Sequence, residues 1–355
     1  MLRIEAGLIT VFSLASPAIG ASVQPDQNLG DDRPPRSLSI ARQGGFVVGG
    51  RTTTFNGETY RVEGTFVGFQ IPTEQKCVYP MVMVHGNFGT AAVWDTTPDG
   101  REGFQVRFLR RGCSTYVPDL VSRGRAGWAR PEIWKGESVV FPTFESIWPL
   151  FRFGPDYPNT FPGLQFPIDK ADTYLLEAVP SWSGGPTSPN GLRLTRAVQQ
   201  VAQEVGRNIL MTHSQSGRFG WEAGGRIPDL IGALVQLEPV GASVTLTESE
   251  ISNLTQMPIL IIYGDFIELS SRWTDERNAT RNIAARVEAA GGDVTFVDLP
   301  AQGVYGNSHM LMMDRTNARV EQIIYCWMLS KGLVRGGEDD KCNSAQNNYQ
   351  RGDNR

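Results

Sequence analysis

Apolar and polar positions alternate from Gly45 to Ile71, through Phe46, Val48, Tyr60, Val62, Val67 and Phe69. This period of two predicts an antiparallel hairpin or meander with one wet face. The pattern then changes: Val78 to Val84 is a continuous apolar run ending in His85 and Gly86, as a strand buried on both faces of a sheet requires. Similar runs cover Ser114 to Pro118, Asn208 to Thr212, Leu230 to Leu237, Ile259 to Tyr263 and Val294 to Val297. Helices are predicted in the intervals at Gly103 to Arg111, Leu192 to Val205, Gln215 to Gly225, Glu276 to Ala290 and Asn317 to Ser330, with Gly291 and Gly292 closing one of them. The repeated strand and helix rhythm predicts an α/β fold with a mostly parallel central sheet flanked by helices. Between Val121 and Asn190 the rhythm fails, and the segment is dense in aromatics: Trp128, Trp134, Phe141, Phe144, Trp148, Phe151, Phe153, Phe161, Phe166 and Trp182. It reads as a long insertion, either a small second core or a lid, since insertions at the carboxyl ends of parallel strands overhang the ligand crevice.

The two ends of the chain read differently. Arg3, an apolar run from Ala6 to Ile19 and small residues at Ala18, Gly20 and Ala21 form the pattern of a signal peptide over residues 1–21, too short to span a bilayer. Residues 22–44, rich in Pro, Asp and Gln, are expected to be a flexible arm, residues 45–331 a single domain and residues 332–355 a polar tail. Length and composition agree with one large domain: 355 residues, 40% apolar and 20% charged. The net charge of −4 and the lack of a basic cluster argue against a nucleic-acid partner. Four cysteines without a CxxC suit an oxidising compartment, with Cys77 paired to Cys113 at one edge of neighbouring strands and Cys326 paired to Cys342, stapling the tail to the last helix. Asn253 and Asn278 open N-x-T sequons, which also fit a secreted glycoprotein.

Nucleophilic catalysis near neutral pH needs a general base, and the chain offers only His85, His213 and His309. Thr-His-Ser-Gln-Ser-Gly at 212–217 sits at a strand, sharp turn, helix junction, where a serine is held away from its own backbone beside the helix amides. Ser214 is flanked symmetrically by the small residues Thr212 and Ser216, where the usual G-x-S-x-G elbow has glycines; Ser216 is the rival nucleophile. His85 opens His-Gly-Asn-Phe-Gly after an earlier strand, a loop suited to an oxyanion hole, with the backbone N–H groups of Asn87 and Gln215 as donors. His85 then braces that loop and His213 packs below the turn. His309, in a polar loop between the last strand and the last helix, remains as base. Two acids compete to orient it: Glu238 after the strand Leu230 to Leu237, and Asp265 after the next strand. Phe88, Trp94, His213 and Tyr305 are the candidate pocket residues.

The run T-H-S-Q-S-G, the strand ending in Glu-Pro and Gly-Asn-Ser-His-Met together resemble a small bacterial-type esterase family within the α/β-hydrolases. Further matches lie at Trp94 to Gly100, Phe151 to Gly154 (F-R-F-G), Gln165 to Pro167 and Ser271 to Trp273, and the resemblance spans most of residues 45–331. It implies the α/β-hydrolase fold, Ser214 as nucleophile, His309 as base and, against Asp265, Glu238 as acid. The chain departs from the family's pattern at Asn87 and Phe88, where adjacent cysteines occur, and at Tyr305, which replaces a histidine.

The expectation is therefore a secreted carboxylic ester hydrolase that forms an acyl-enzyme on a small or medium apolar or aromatic ester. It needs no metal or organic cofactor and no stable membrane insertion. Its partner is a small-molecule ester; the oligomeric state, a homodimer included, stays open. A lactonase or acyltransferase using the same triad, and a non-catalytic binding protein of this fold, are the alternatives.

Overall fold

A computed structural model describes residues 37–128, 131–133, 138–182, 188–336 and 342. The predicted signal peptide, the arm as far as residue 36, Trp134 and most of the tail lie outside the described residues. The alternating N-terminal stretch forms a long hairpin, β1 (Ile40–Phe55) and β2 (Glu58–Pro72). Its two-residue turn, Asn56-Gly57, has φ of 49° and 78°, the left-handed geometry that matches strand twist and that Asn-Gly tolerates. β1 begins five residues before Gly45, so Ile40 to Gly44, expected in the arm, belong to the hairpin. Their main chain pairs with Phe69 to Pro72, and such pairing needs no apolar side chains to sustain it.

Six further strands continue the sheet: β3 (Met81–Val84), β4 (Thr115–Asp119), β7 (Asn208–His213), β8 (Ile231–Leu237), β9 (Ile259–Tyr263) and β10 (Val294–Asp298). The order is β1-β2-β4-β3-β7-β8-β9-β10; β1, β2 and β4 pair antiparallel, and every pair from β4 onward is parallel. β3 is shorter than its apolar run because Pro80 has no N–H to give the ladder. The residues before Pro80 turn to another partner: Val78 N–H donates to Leu333 O (2.8 Å), and Cys77 pairs with Val334. The start of the expected polar tail is thus packed, and disulfides Cys77–Cys113 and Cys326–Cys342 close with Cα separations of 4.8 and 5.2 Å.

The nine described helices are α1 (Ala92–Asp95), α2 (Phe104–Arg110), α3 (Phe144–Leu150), α4 (Ala171–Glu177), α5 (Pro189–Val205), α6 (Ser216–Arg226), α7 (Glu248–Leu254), α8 (Ser271–Ala289) and α9 (Asn317–Ser330). α5 starts at Pro189 rather than Leu192, because Ser188 Oγ accepts from Gly191 N–H (3.0 Å) and proline suits the first helical position. Likewise Ser270 caps α8, which starts five residues earlier than its apolar period indicates. Alternate strand residues feed two cores. Met83, Met211, Val235 and Ile262 pack with α2, α9 and the insertion, whereas Val84, Leu210, Leu234 and Ile261 pack with α5 to α8. The insertion carries α3, α4 and a small sheet of β5 (Val139–Val140) and β6 (Ser181–Trp182). Its Trp148, Phe151, Phe153 and Phe166 are buried in the first core, while Trp128 and Phe141 face solvent. Among the described residues no helix is long and apolar enough to cross a membrane, and no group of three or more His, Cys, Asp or Glu could hold a metal ion.

Candidate active site

β7 ends at His213, α6 begins at Ser216, and the chain reverses between them with Ser214 at φ 56°. A serine in this left-handed region stores about 1 kcal/mol or more of backbone strain. The turn is held by main-chain bonds: Ser214 N–H donates to Leu237 O (3.0 Å), and Ser214 O accepts from Gly217 N–H (2.9 Å) and Val240 N–H (3.0 Å). The close approach that elbow glycines normally permit is supplied by the helix instead. A Cβ on Gly220 would stand 3.1 Å from Thr212 Cγ2, and one on Gly217 would stand 2.4 Å from Pro239 Cβ. Ser216 is fully buried; its hydroxyl accepts from His213 N–H (2.8 Å) and donates to Val84 O (2.9 Å), so it is consumed in bracing the turn.

The loop after β3 lies directly against the elbow, since a Cβ on Gly86 would come within 2.8 Å of Ser214 Cβ. Leu120 N–H donates to His85 Nε2 (3.2 Å), which leaves His85 Nδ1–H to donate to Gly86 O (2.9 Å) and makes this imidazole a fixed strut. Burial, then the charge of Arg123, lowers its pKa to about 4. Among the described residues, neither the Asn87 nor the Gln215 main-chain N–H donates to another group, so both are available for a developing negative charge. Phe88 follows at φ 59°, and its carbonyl accepts from Val179 N–H of the insertion (2.9 Å). Buried Arg123 holds the same loop through Asn87 Oδ1 (3.2 Å) and Ser181 Oγ (2.6 Å).

Glu238 leaves β8 at φ 50° and is wholly buried. Its Oε1 accepts from Arg152 Nη2 (2.5 Å) and Gly264 N–H (2.5 Å), and its Oε2 accepts from His309 Nδ1–H (3.2 Å). Asp265 turns elsewhere: one carboxylate oxygen accepts from Phe266 N–H (2.7 Å), the other from Gly306 N–H (2.8 Å), bracing the loop that carries His309. The imidazole of His309 is clasped by Trp273 (4.1 Å between ring centres), His213 (4.7 Å) and Phe151 (5.6 Å), and the main-chain N–H of His309 donates to Phe151 O (2.9 Å). His213 Nε2 donates to His309 O (2.9 Å). Burial, then the charges of Arg152 and Arg272, depresses the His309 pKa well below its ordinary value, and burial takes that of His213 to about 3. His309 Nε2 has no hydrogen-bond partner among the described residues, so no bond joins it to Ser214, whose neighbour His213 touches its ring. A carboxylate on Nδ1 and an open Nε2 equip this imidazole to accept a proton.

Two candidate pocket residues are placed away from the expected role. Trp94 is sealed in the first core against Phe104, and Tyr305 is 65% exposed, because Gly306 (φ 76°) turns the chain inward only after it. Phe88 and His213 are buried beside the elbow. Sequence reasoning assigned no role to Arg152, Trp273, Arg123 or Asp314. Buried Asp314 accepts from Ser308 N–H and Oγ and from Asn307 Nδ2, fixing the loop before His309, and burial raises its pKa to about 7. Only F-R-F-G and Ser271 to Trp273 gave a signal, as motifs without a function.

No protein-family model matches the chain. A solved structure described as a novel bacterial esterase has 34% sequence identity and a TM-score of 0.75, covering 83% of this chain and 97% of that one. A probable secreted lipase, phiG, from a fungus (Fungal sp., strain ATCC 74256) is 26% identical over 338 residues, 80% of this chain and 88% of its own. With this sheet order, this elbow and that identity over nearly all of the bacterial enzyme, the chain belongs to the α/β-hydrolases, in the serine-esterase family of that protein.

Proposed function

We propose that this protein hydrolyses carboxylic esters through Ser214, His309 and Glu238. Ser214 Oγ attacks the ester carbonyl carbon as its proton passes to His309 Nε2, and the tetrahedral oxyanion is received by the N–H groups of Asn87 and Gln215. The imidazolium, stabilised through Nδ1 by Glu238, then protonates the leaving alcohol. Water repeats the path to release the acid from the acyl-serine. The single observation that carries this reading is an imidazole bound by Glu238 at one nitrogen and unpartnered at the other, packed against the residue before a serine at positive φ. The aromatic walls Phe88, Phe151 and Trp273 favour a small or medium apolar or aromatic ester.

The insertion over 121–190 acts as the lid, since its Phe151 and Val179 touch His309 and the Asn87 loop. Two disulfides and the secreted lipase relative favour an extracellular protein whose first 21 residues are a cleaved signal peptide. Short p-nitrophenyl esters and a serine-directed phosphonate test the core of the proposal. Turnover should vanish in Ser214→Ala and His309→Ala, with the phosphonate mass on the peptide containing Ser214; wild-type turnover in Ser214→Ala refutes it.

A further inference from the structure

The aromatic insertion reaches the acid of the relay through one buried cation. Leu150, Phe151 and Arg152, where α3 ends, make successive contacts around His309. Leu150 O accepts from Trp273 Nε1 (2.7 Å), Phe151 O accepts from His309 N–H (2.9 Å), and Arg152 Nη2 donates to Glu238 Oε1 (2.5 Å). Arg152 is 1% exposed and sits at φ 56°, with its guanidinium 5.2 Å from the Trp273 ring. Its Nε donates to Asp265 O (2.8 Å), so the planar fork spans the ends of β8 and β9. We infer that Arg152 is the positioning residue of the relay: it ties down Glu238 Oε1 so that Oε2 alone turns to His309. The inference rests on the triad proposed above.

Two consequences separate this role from plain packing. A carboxylate held at Oε1 by Arg152 and Gly264 cannot rotate without breaking both bonds, so the direction of Oε2 is set by the fork. The same cation opposes protonation of His309. The charged and titratable groups facing that imidazole are Glu238 after β8, His213 at the end of β7, Arg152 from the insertion and Arg272 at the start of α8. Removing the Arg152 charge raises the affinity of His309 for a proton. Activity needs a neutral imidazole, so this effect moves the acid limb of the pH profile upward.

The experiment uses the full chain as Arg152→Lys and Arg152→Gln, with kcat and KM for a p-nitrophenyl ester measured from about pH 4 to 9 and phosphonate titration to count competent sites. Lysine keeps the charge but cannot reach Glu238 and Asp265 together; kcat per titrated site should fall about 10- to 100-fold with KM nearly unchanged and the acid limb in place. Glutamine should also shift the acid limb upward by about one pH unit. The inference is overturned if kcat per titrated site is unchanged in Arg152→Lys, or if the limb of a folded Arg152→Gln stays in place. Should Arg152→Gln fail to fold, the lysine variant alone decides. An active Ser214→Ala would defeat the triad itself, whereas an inactive Ser214→Ala beside normal Arg152 variants defeats only this inference.

Discussion

Replacing Glu238 by glutamine changes one atom of a carboxylate whose two oxygens both have hydrogen-bond partners. Oε1 faces two donors, Arg152 Nη2 and Gly264 N–H, both at 2.5 Å, so the amide oxygen of glutamine must take that side. Its NH2 group then falls opposite His309 Nδ1, where Glu238 Oε2 now accepts. Two N–H groups cannot face each other, so Nδ1 gives up its proton and Nε2 takes one. Nε2–H cannot accept the serine proton. The corresponding tautomer fault in a Ser-His-Asp triad costs about 10⁴ in kcat, or roughly 5.5 kcal/mol of barrier. Loss of the counter-charge also leaves Arg152 buried and unpaired, a stability cost of about 3 to 5 kcal/mol. The control is Asp265→Asn. Among the described residues its carboxylate accepts only Phe266 N–H and Gly306 N–H, so one lost acceptor should cost about 1 kcal/mol of stability and less than about tenfold in kcat. The assay is kcat for a p-nitrophenyl ester per phosphonate-titrated site, beside thermal unfolding of each variant. Glu238→Gln within tenfold of wild type, with Asp265→Asn reduced by thousands, would refute the reasoning and make Asp265 the acid.

Gly86→Ala places a methyl 2.8 Å from Ser214 Cβ and 3.1 Å from His213 O, so the Asn87 loop must retreat by several tenths of an ångström. We expect kcat to drop about 10- to 100-fold with little change in KM; an unchanged kcat would show that the loop takes no part. The depressed pKa of His309 keeps the proposed base neutral below its ordinary value, so the acid limb of kcat/KM should lie under about pH 6.5 and activity at about pH 6 should stay within about twofold of that at pH 7. A limb at or above 6.5 contradicts the burial argument. The Cys77–Cys113 disulfide spans 36 residues, and Cys77→Ser with Cys113→Ser should lose about 3 to 4 kcal/mol in denaturant titration without altering kcat per titrated site. An unchanged midpoint would mean that β3 and β4 are held without it.

Much of this architecture is legible in the chain because burial on both faces of a parallel sheet forces uninterrupted apolar runs. The apolar run Ile259 to Tyr263 coincides with β9 for that reason, and the run Asn208 to Thr212 ends one residue short of β7. The Cys77–Cys113 pair follows from the same reading, since the two cysteines each stand just before neighbouring strands. Signals that depend on the main chain alone are weaker. Ile40 to Gly44 carries little to bury, and nothing in its side chains announces the ladder it makes with β2. Arg152 shows the other limit. An arginine inside an aromatic segment has no period to mark it, and its partner lies 86 residues away, so its burial becomes apparent only when the insertion folds back on β8.

The choice between the two acids turns on geometry that sequence alone leaves open, and sheet spacing supplies the missing step. β8 is the immediate neighbour of β7, about 4.8 Å away, while β9 stands about twice as far from the elbow. Ser214 N–H bonds to Leu237 O, the carbonyl just before Glu238, so turn and acid share one link between strands. An acid at the end of β8 therefore starts close beside the elbow. The left-handed turn at Glu238 and the length of its side chain let the carboxylate stay buried while Oε1 meets Gly264 N–H on β9's side and Oε2 meets His309. Asp265, already one strand further out, is shorter by a methylene and bonded to Gly306. In that position its physical use is to hold the histidine loop in place, which the proposed relay through Glu238 requires if a 3.2 Å contact between two wholly buried side chains is to persist.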